Sequence, residues 1–207
     1  MLNNFNGFTR RLLLSISTVT LAISIPAIMH AHGEAGEIVG FWDGLQHPIG
    51  GLDHILAMLA VGLWASQLGG RAVWSIPLAF VSVMSVGGVL GVLNMPVPFV
   101  EQGIIASDLI LGGLVLMATR LPLAASISIV GLLAIFHGYA HGSEMPTQAS
   151  GLEYAAGFMV ATATLHLSGI SIALLIKRLL KEQFVRFAGG GIILGGIYVL
   201  VNSLSGS

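Results

Sequence analysis

The chain has 207 residues, of which 55% are hydrophobic and only 8% charged, with a formal net charge of −1. A water-exposed surface of ordinary make-up needs about a quarter of its residues charged, so composition excludes a typical soluble domain and makes lipid the expected solvent. There is no cysteine, which excludes disulfides, thiolate metal sites and cysteine nucleophiles; any metal must be held by His, carboxylate, Met or backbone oxygen.

Residues 1–31 read as a cleavable signal peptide. Arg10 and Arg11 precede the apolar run LLLSISTVTLAISIPAIM, and Ala31 supplies a small residue at the cleavage position, although Met29 stands where a small residue is preferred. Cleavage after Ala31 makes His32 the first residue of the mature chain, followed by Glu34 and Glu37. Its α-amine and imidazole could then chelate one ion together.

The remainder, residues 32–207, predicts a single membrane domain. Six apolar runs are long enough to span, at about 49–68, 72–94, 102–119, 121–141, 152–176 and 184–204, because some 20 residues at roughly 1.5 Å each cross a core of roughly 30 Å. The expected fold is therefore all-α and polytopic, with six transmembrane helices. Pro48 and Pro122 fall where a first helical turn tolerates proline. Beyond the signal region the basic residues are Arg71, Arg120, Lys177, Arg178, Lys181 and Arg186, all in the loops after the first, third and fifth runs. By the positive-inside rule those loops are cytoplasmic, and the mature N-terminus and the C-terminus lie outside. Glycines four apart, such as Gly87/Gly91 and Gly191/Gly195, read as helix-packing positions.

Two stretches carry polar residues that lipid should reject. An ionisable group at the centre of a membrane helix costs roughly 2.5–3.5 kcal/mol even on lenient scales. The first, HPIGGLDHILAM, puts His47 at the start of the first helix, with Asp53 and His54 about two turns in. In a continuous helix His47 and His54 would share a face, and Met58 would lie one turn below His54. The second, FHGYAHGSEMP, places His137 and His141 on one side of the fourth helix at its outer end, with Glu144 just beyond. Both stretches fall at one membrane depth. Imidazole with carboxylate suits a borderline divalent ion such as Ni²⁺, Co²⁺ or Zn²⁺. The candidate metal ligands are therefore His47, Asp53, His54, His137, His141 and Glu144, with Met58 and His32 as further members. Asp43, Glu34 and Glu37 read as solvated outer residues. Glu101 and Glu153 read as helix-end carboxylates. His166 reads as a packing residue bonded to a neighbouring carbonyl, and Asp108 as a buried carboxylate in need of a partner.

At these two motifs the chain resembles the HupE/UreJ family of nickel/cobalt permeases. The pattern HPxxGxDHxxxMxxVG is matched by His47, Pro48, Gly51, Asp53, His54, Met58, Val61 and Gly62, and HGxAHGxExP by His137, Gly138, Ala140, His141, Gly142, Glu144 and Pro146. The signal peptide and six-helix layout extend the likeness over nearly the whole chain. The resemblance implies a secondary transporter, not an enzyme, in the bacterial plasma membrane, taking up Ni²⁺ or Co²⁺ as a transiently bound substrate with no prosthetic group. The expected partners are that ion and the bilayer, with a homo-oligomer open and nucleic acid excluded. The residues agree on the class. There is no GxxxxGK[ST] loop, and an interior-negative potential of 100 mV supplies about 4.6 kcal/mol to a divalent ion. The rival reading is an outward-facing intramembrane metal-dependent hydrolase or oxidase, since His137 and His141 form an HxxxH pair. HExxH and GxSxG are absent. A metal-binding assembly or sensor protein is the third.

Overall fold

The structure is a computed structural model that describes residues 37–205. The signal-peptide reading, His32 and Glu34 lie outside the described residues. Among the described residues seven α-helices follow one another: α1 (Glu37–Gly50), α2 (Leu52–Leu68), α3 (Ala72–Val92), α4 (Val100–Met117), α5 (Leu123–Ser143), α6 (Gly151–Leu179) and α7 (Val185–Ser205), with a 3₁₀ turn at Glu182–Phe184 before the last. The described residues form no strand. Five of these described helices are long and apolar enough to cross a membrane, and the α1–α2 pair, bent by 82° at its break, is a sixth candidate.

The helices carry no narrow apolar stripe. Trp74, Leu78, Val86, Leu132 and Leu194 are exposed on the outside of the bundle while Ile76, Phe80, Met84 and Leu111 are fully buried within it. A helix hydrophobic all round fits a bundle whose exterior faces hydrocarbon. The principal pairings are α3 with α5, α1 and α2 with α6, and α4 with α7.

Glycine sets how closely these pairs approach. A Cβ at Gly138 would lie 1.9 Å from the Met84 carbonyl oxygen, and one at Gly142 would lie 2.1 Å from that of Gly88. Gly87 and Gly91 answer from α3, against Ile135 and Tyr139. Backbone thus meets backbone between α3 and α5, as small-residue packing in membranes allows. The same expectation fails at Gly191, where a Cβ would meet nothing within 4 Å. On α7 the close approach is made by Gly189, against Gly112 and Leu116 of α4.

One end of the bundle gathers basic side chains. Lys177 Nζ donates to the Ser66 carbonyl at 2.7 Å, Arg186 Nε to the Leu116 carbonyl at 2.6 Å, and Glu182 lies 3.7 Å from Lys177 and 4.0 Å from Arg120. Trp64 Nε1 and Gln67 Nε2 tie the end of α2 to the Thr119 and Val115 carbonyls. The loops that carry the positive charge are therefore neighbours in space.

The first span departs from the sequence expectation. The helix does not begin at Pro48; Pro48 lies inside the last turn of α1, with His47 beside it, and the break falls at Gly50–Gly51. Proline has no N–H to give and crowds the carbonyl four residues back, and two consecutive glycines follow that resist helix. Gly51 is extended (φ −100°, ψ 123°), and α2 starts afresh at Leu52. His47 and His54 thus belong to different helices and share no helix face. The bend, not a seven-residue spacing, brings them together.

Candidate metal site

Three helix ends converge at the end of the bundle opposite the basic one. α1 ends with His47 in its last turn, α2 begins with Asp53 in its first, and α5 ends with His141 in its last. Helix C-termini favour a cation and helix N-termini an anion. The two imidazole-bearing ends thus suit a metal ion, and Asp53 suits the positive start of α2. His47 thus sits at a helix C-terminus and not at the helix start expected for it.

The four imidazoles of His47, His54, His137 and His141 make edge contacts with one another. Ring centroids lie 4.9 Å apart for His47–His141, 4.8 Å for His54–His141 and 4.9 Å for His54–His137. His47 and His54 are 6.3 Å apart. His137 and His141 are fully buried, whereas His47 faces a mouth of about 610 Å³ lined also by Asp43, Gln46, Asp53, His54, Glu144 and Tyr154.

Hydrogen bonds fix which nitrogens stay available. The Asp53 carboxylate accepts from His54 Nδ1 at 2.9 Å and from the His54 backbone N–H at 2.8 Å, leaving Nε2 with the free lone pair. Glu144 accepts from His47 Nε2 at 3.0 Å, leaving Nδ1. Ser107 spends its one proton on the Ile104 carbonyl at 2.6 Å, so its oxygen accepts from His137 Nε2 at 2.8 Å and leaves Nδ1. Such outer partners set the tautomer of a metal-binding imidazole and raise its basicity. His54 Nε2, His137 Nδ1 and both nitrogens of His141 have no hydrogen-bond partner among the described residues. Among those residues no three His or carboxylate groups already converge at ligand distance on one point. The imidazoles touch through ring edges, and small rotations about χ would be needed to aim their lone pairs together.

Six of the sequence candidates, His47, Asp53, His54, His137, His141 and Glu144, therefore meet in one place. Met58 is fully buried in the apolar core one turn along α2 from His54. The expectation for His166 is corrected: it is buried, but neither ring nitrogen has a partner among the described residues, so it is not bonded to a carbonyl of these. Asp108 is buried with both carboxylate oxygens unpartnered among the described residues. Sequence reasoning missed four contributors. Ser107 orients His137, Phe158 stacks on His141 at 5.1 Å, Tyr154 flanks His47 at 6.0 Å, and Phe80 lies 5.6 Å from His137. The spacing of Tyr154, Phe158, Thr162 and His166 at every fourth residue was a usable signal for one continuous helix face.

The family model described as HupE / UreJ protein matches residues 18–199. Protein HupE of Rhizobium leguminosarum bv. viciae is 46% identical over 187 residues, which cover 90% of this chain and 97% of that protein. No solved structure matches. With the match running through nearly all the described helices, the chain belongs to the HupE/UreJ family.

Proposed function

We propose that this chain is a permease that takes up Ni²⁺ or Co²⁺ across the bacterial plasma membrane, with its basic loops in the cytoplasm and both mature termini outside. The ion is the cargo, held in passing by His47, Asp53, His54, His137, His141 and Glu144. The observation that carries this reading is the meeting of four imidazoles from α1, α2 and α5 beneath an open mouth. Family membership supports it.

The reading explains the polar groups that a membrane helix should reject. Glu144 and His47 line the mouth, where an arriving hydrated cation first meets negative charge and an imidazole. Asp53 supplies a full negative charge at a helix N-terminus that would otherwise repel the ion. His54, His137 and His141 lie further in, where neutral imidazole nitrogens can replace lost water without adding net charge. A broken helix at the site is the device by which transporters expose helix ends to ions within a membrane. Passage down the membrane potential then needs no nucleotide.

The experiment is uptake of radioactive Ni²⁺, and of Co²⁺ in parallel, by cells expressing the chain. Uptake well above that of cells lacking it, abolished by His54→Ala with protein still in the membrane, is the expected result. Absence of uptake together with metal-dependent turnover of lipid or peptide by the purified protein would replace transport by the hydrolase reading.

A further inference from the structure

One face of α6 descends from the mouth to the middle of the bundle. Tyr154, Phe158, Thr162 and His166 stand four residues apart on it, and none is more than 3% exposed. Each has its own neighbour across the interior. Tyr154 lies beside His47 and Phe158 stacks on His141. Thr162 Oγ1 lies 3.7 Å from the Met84 sulfur, and His166 meets the edge of Phe80 with centroids 5.1 Å apart. Phe80 and Met84 are one turn apart on α3. The side chains touching the outer cluster and those around His166 thus form one uninterrupted series.

We propose that His166 is an inner station for the transported ion, reached from His137 past the ring of Phe80. This rests on the transport reading above. His166 is 15 residues into α6, roughly 22 Å along the helix at 1.5 Å per residue. A buried imidazole with neither nitrogen partnered among the described residues is costly, and packing alone would be better served by phenylalanine. A neutral imidazole always keeps one unprotonated nitrogen, a good donor for a borderline divalent ion, and Met84 and Thr162 offer a thioether and a hydroxyl one turn outward.

Phe80 touches both histidines, His137 at 5.6 Å and His166 at 5.1 Å. Its ring is thus in contact with both the outer cluster and the inner imidazole. An apolar constriction of this kind blocks a hydrated ion until the ring moves. The ion then exchanges a His137 nitrogen for a His166 nitrogen, with no change in the protonation of either.

The test uses the full chain in proteoliposomes with NiCl₂ or CoCl₂ as the only metal, and the same chain in detergent for Co²⁺ titration. His166→Phe keeps a ring of similar size against Phe80 and removes both nitrogens; His166→Gln is the second variant. Each variant should bind the first equivalent of Co²⁺ within twofold of the unaltered chain, which shows the outer cluster intact, while initial uptake falls at least tenfold. The unaltered chain should hold two equivalents at saturation, and the variants one. Uptake within twofold of normal in either variant overturns the inner station, and so does a single equivalent in the unaltered chain. If the unaltered chain neither binds nor transports either metal, the transport reading itself fails and this inference falls with it. Uptake that is lost in Asp53→Asn but normal in His166→Phe removes the inner station alone.

Discussion

Gly138→Ala tests the idea that backbone contact between α3 and α5 positions the cluster. The added Cβ would lie 1.9 Å from the Met84 carbonyl oxygen, 2.7 Å from the Met84 carbonyl carbon and 2.9 Å from the Gly88 nitrogen. Ordinary contact starts near 3.4 Å, so the oxygen must retreat by about 1.5 Å. All three atoms are backbone and no rotamer change relieves them, so α3 as a whole must shift away from α5. Overpacking of this kind costs typically 1–3 kcal/mol, and the broken interface is the most extensive in the bundle. The shift would also draw Phe80, one turn from Met84, away from His137, which precedes Gly138. The control is Gly113→Ala, where a Cβ meets nothing within 4 Å and the change favours helix by up to about 1 kcal/mol. Thermal unfolding in one detergent, with Co²⁺ binding measured alongside, reads both effects. Gly138→Ala should melt several degrees lower and bind Co²⁺ at least tenfold more weakly, with Gly113→Ala unchanged or slightly more stable. Equal melting temperature and affinity in Gly138→Ala and the unaltered chain would refute the close approach and its role in holding the site.

Asp53→Asn, which keeps shape and removes charge, should cut Ni²⁺ or Co²⁺ uptake at least tenfold at normal membrane abundance; normal uptake would remove its role in balancing the cation at the start of α2. Reporters fused after Gly69 or Lys181 should be cytoplasmic and those after Pro98 or Gln148 outside, and a mixed pattern would put the cluster on the wrong face. Mass spectrometry of the mature chain should find His32 as its first residue, and His32→Ala should then lower uptake only when external metal is scarce, as a tethered collecting ligand predicts; unchanged uptake at every concentration removes that role.

Much of the architecture was legible because hydropathy is local. A run of apolar residues must be helical in lipid whatever lies beside it, since its backbone has no water to bond. The spans from Ala72, Val100, Leu123, Gly151 and Val185 accordingly start within two residues of the expected positions. The two histidine motifs were legible for a related reason: polar groups at that depth are costly, so their presence in the sequence is already a statement about function. Gly191 shows where such reading stops: a Cβ there would meet nothing within 4 Å, and helical spacing does not choose between a neighbour and open space.

Composition and periodicity act within one segment, and they mark the chain as a helical membrane protein with two polar, histidine-bearing stretches. How those stretches meet depends on contacts between segments. The 82° bend at Gly50–Gly51 swings His47 onto His141 and turns the C-terminus of α1 toward the site. Ser107, 30 residues from His137 in the chain, fixes its tautomer. Phe80 comes to contact both His137 and His166 because α3 packs at once against α5 and α6. Each of these is a contact between segments that no local pattern encodes, since its energy exists only when the helices are side by side.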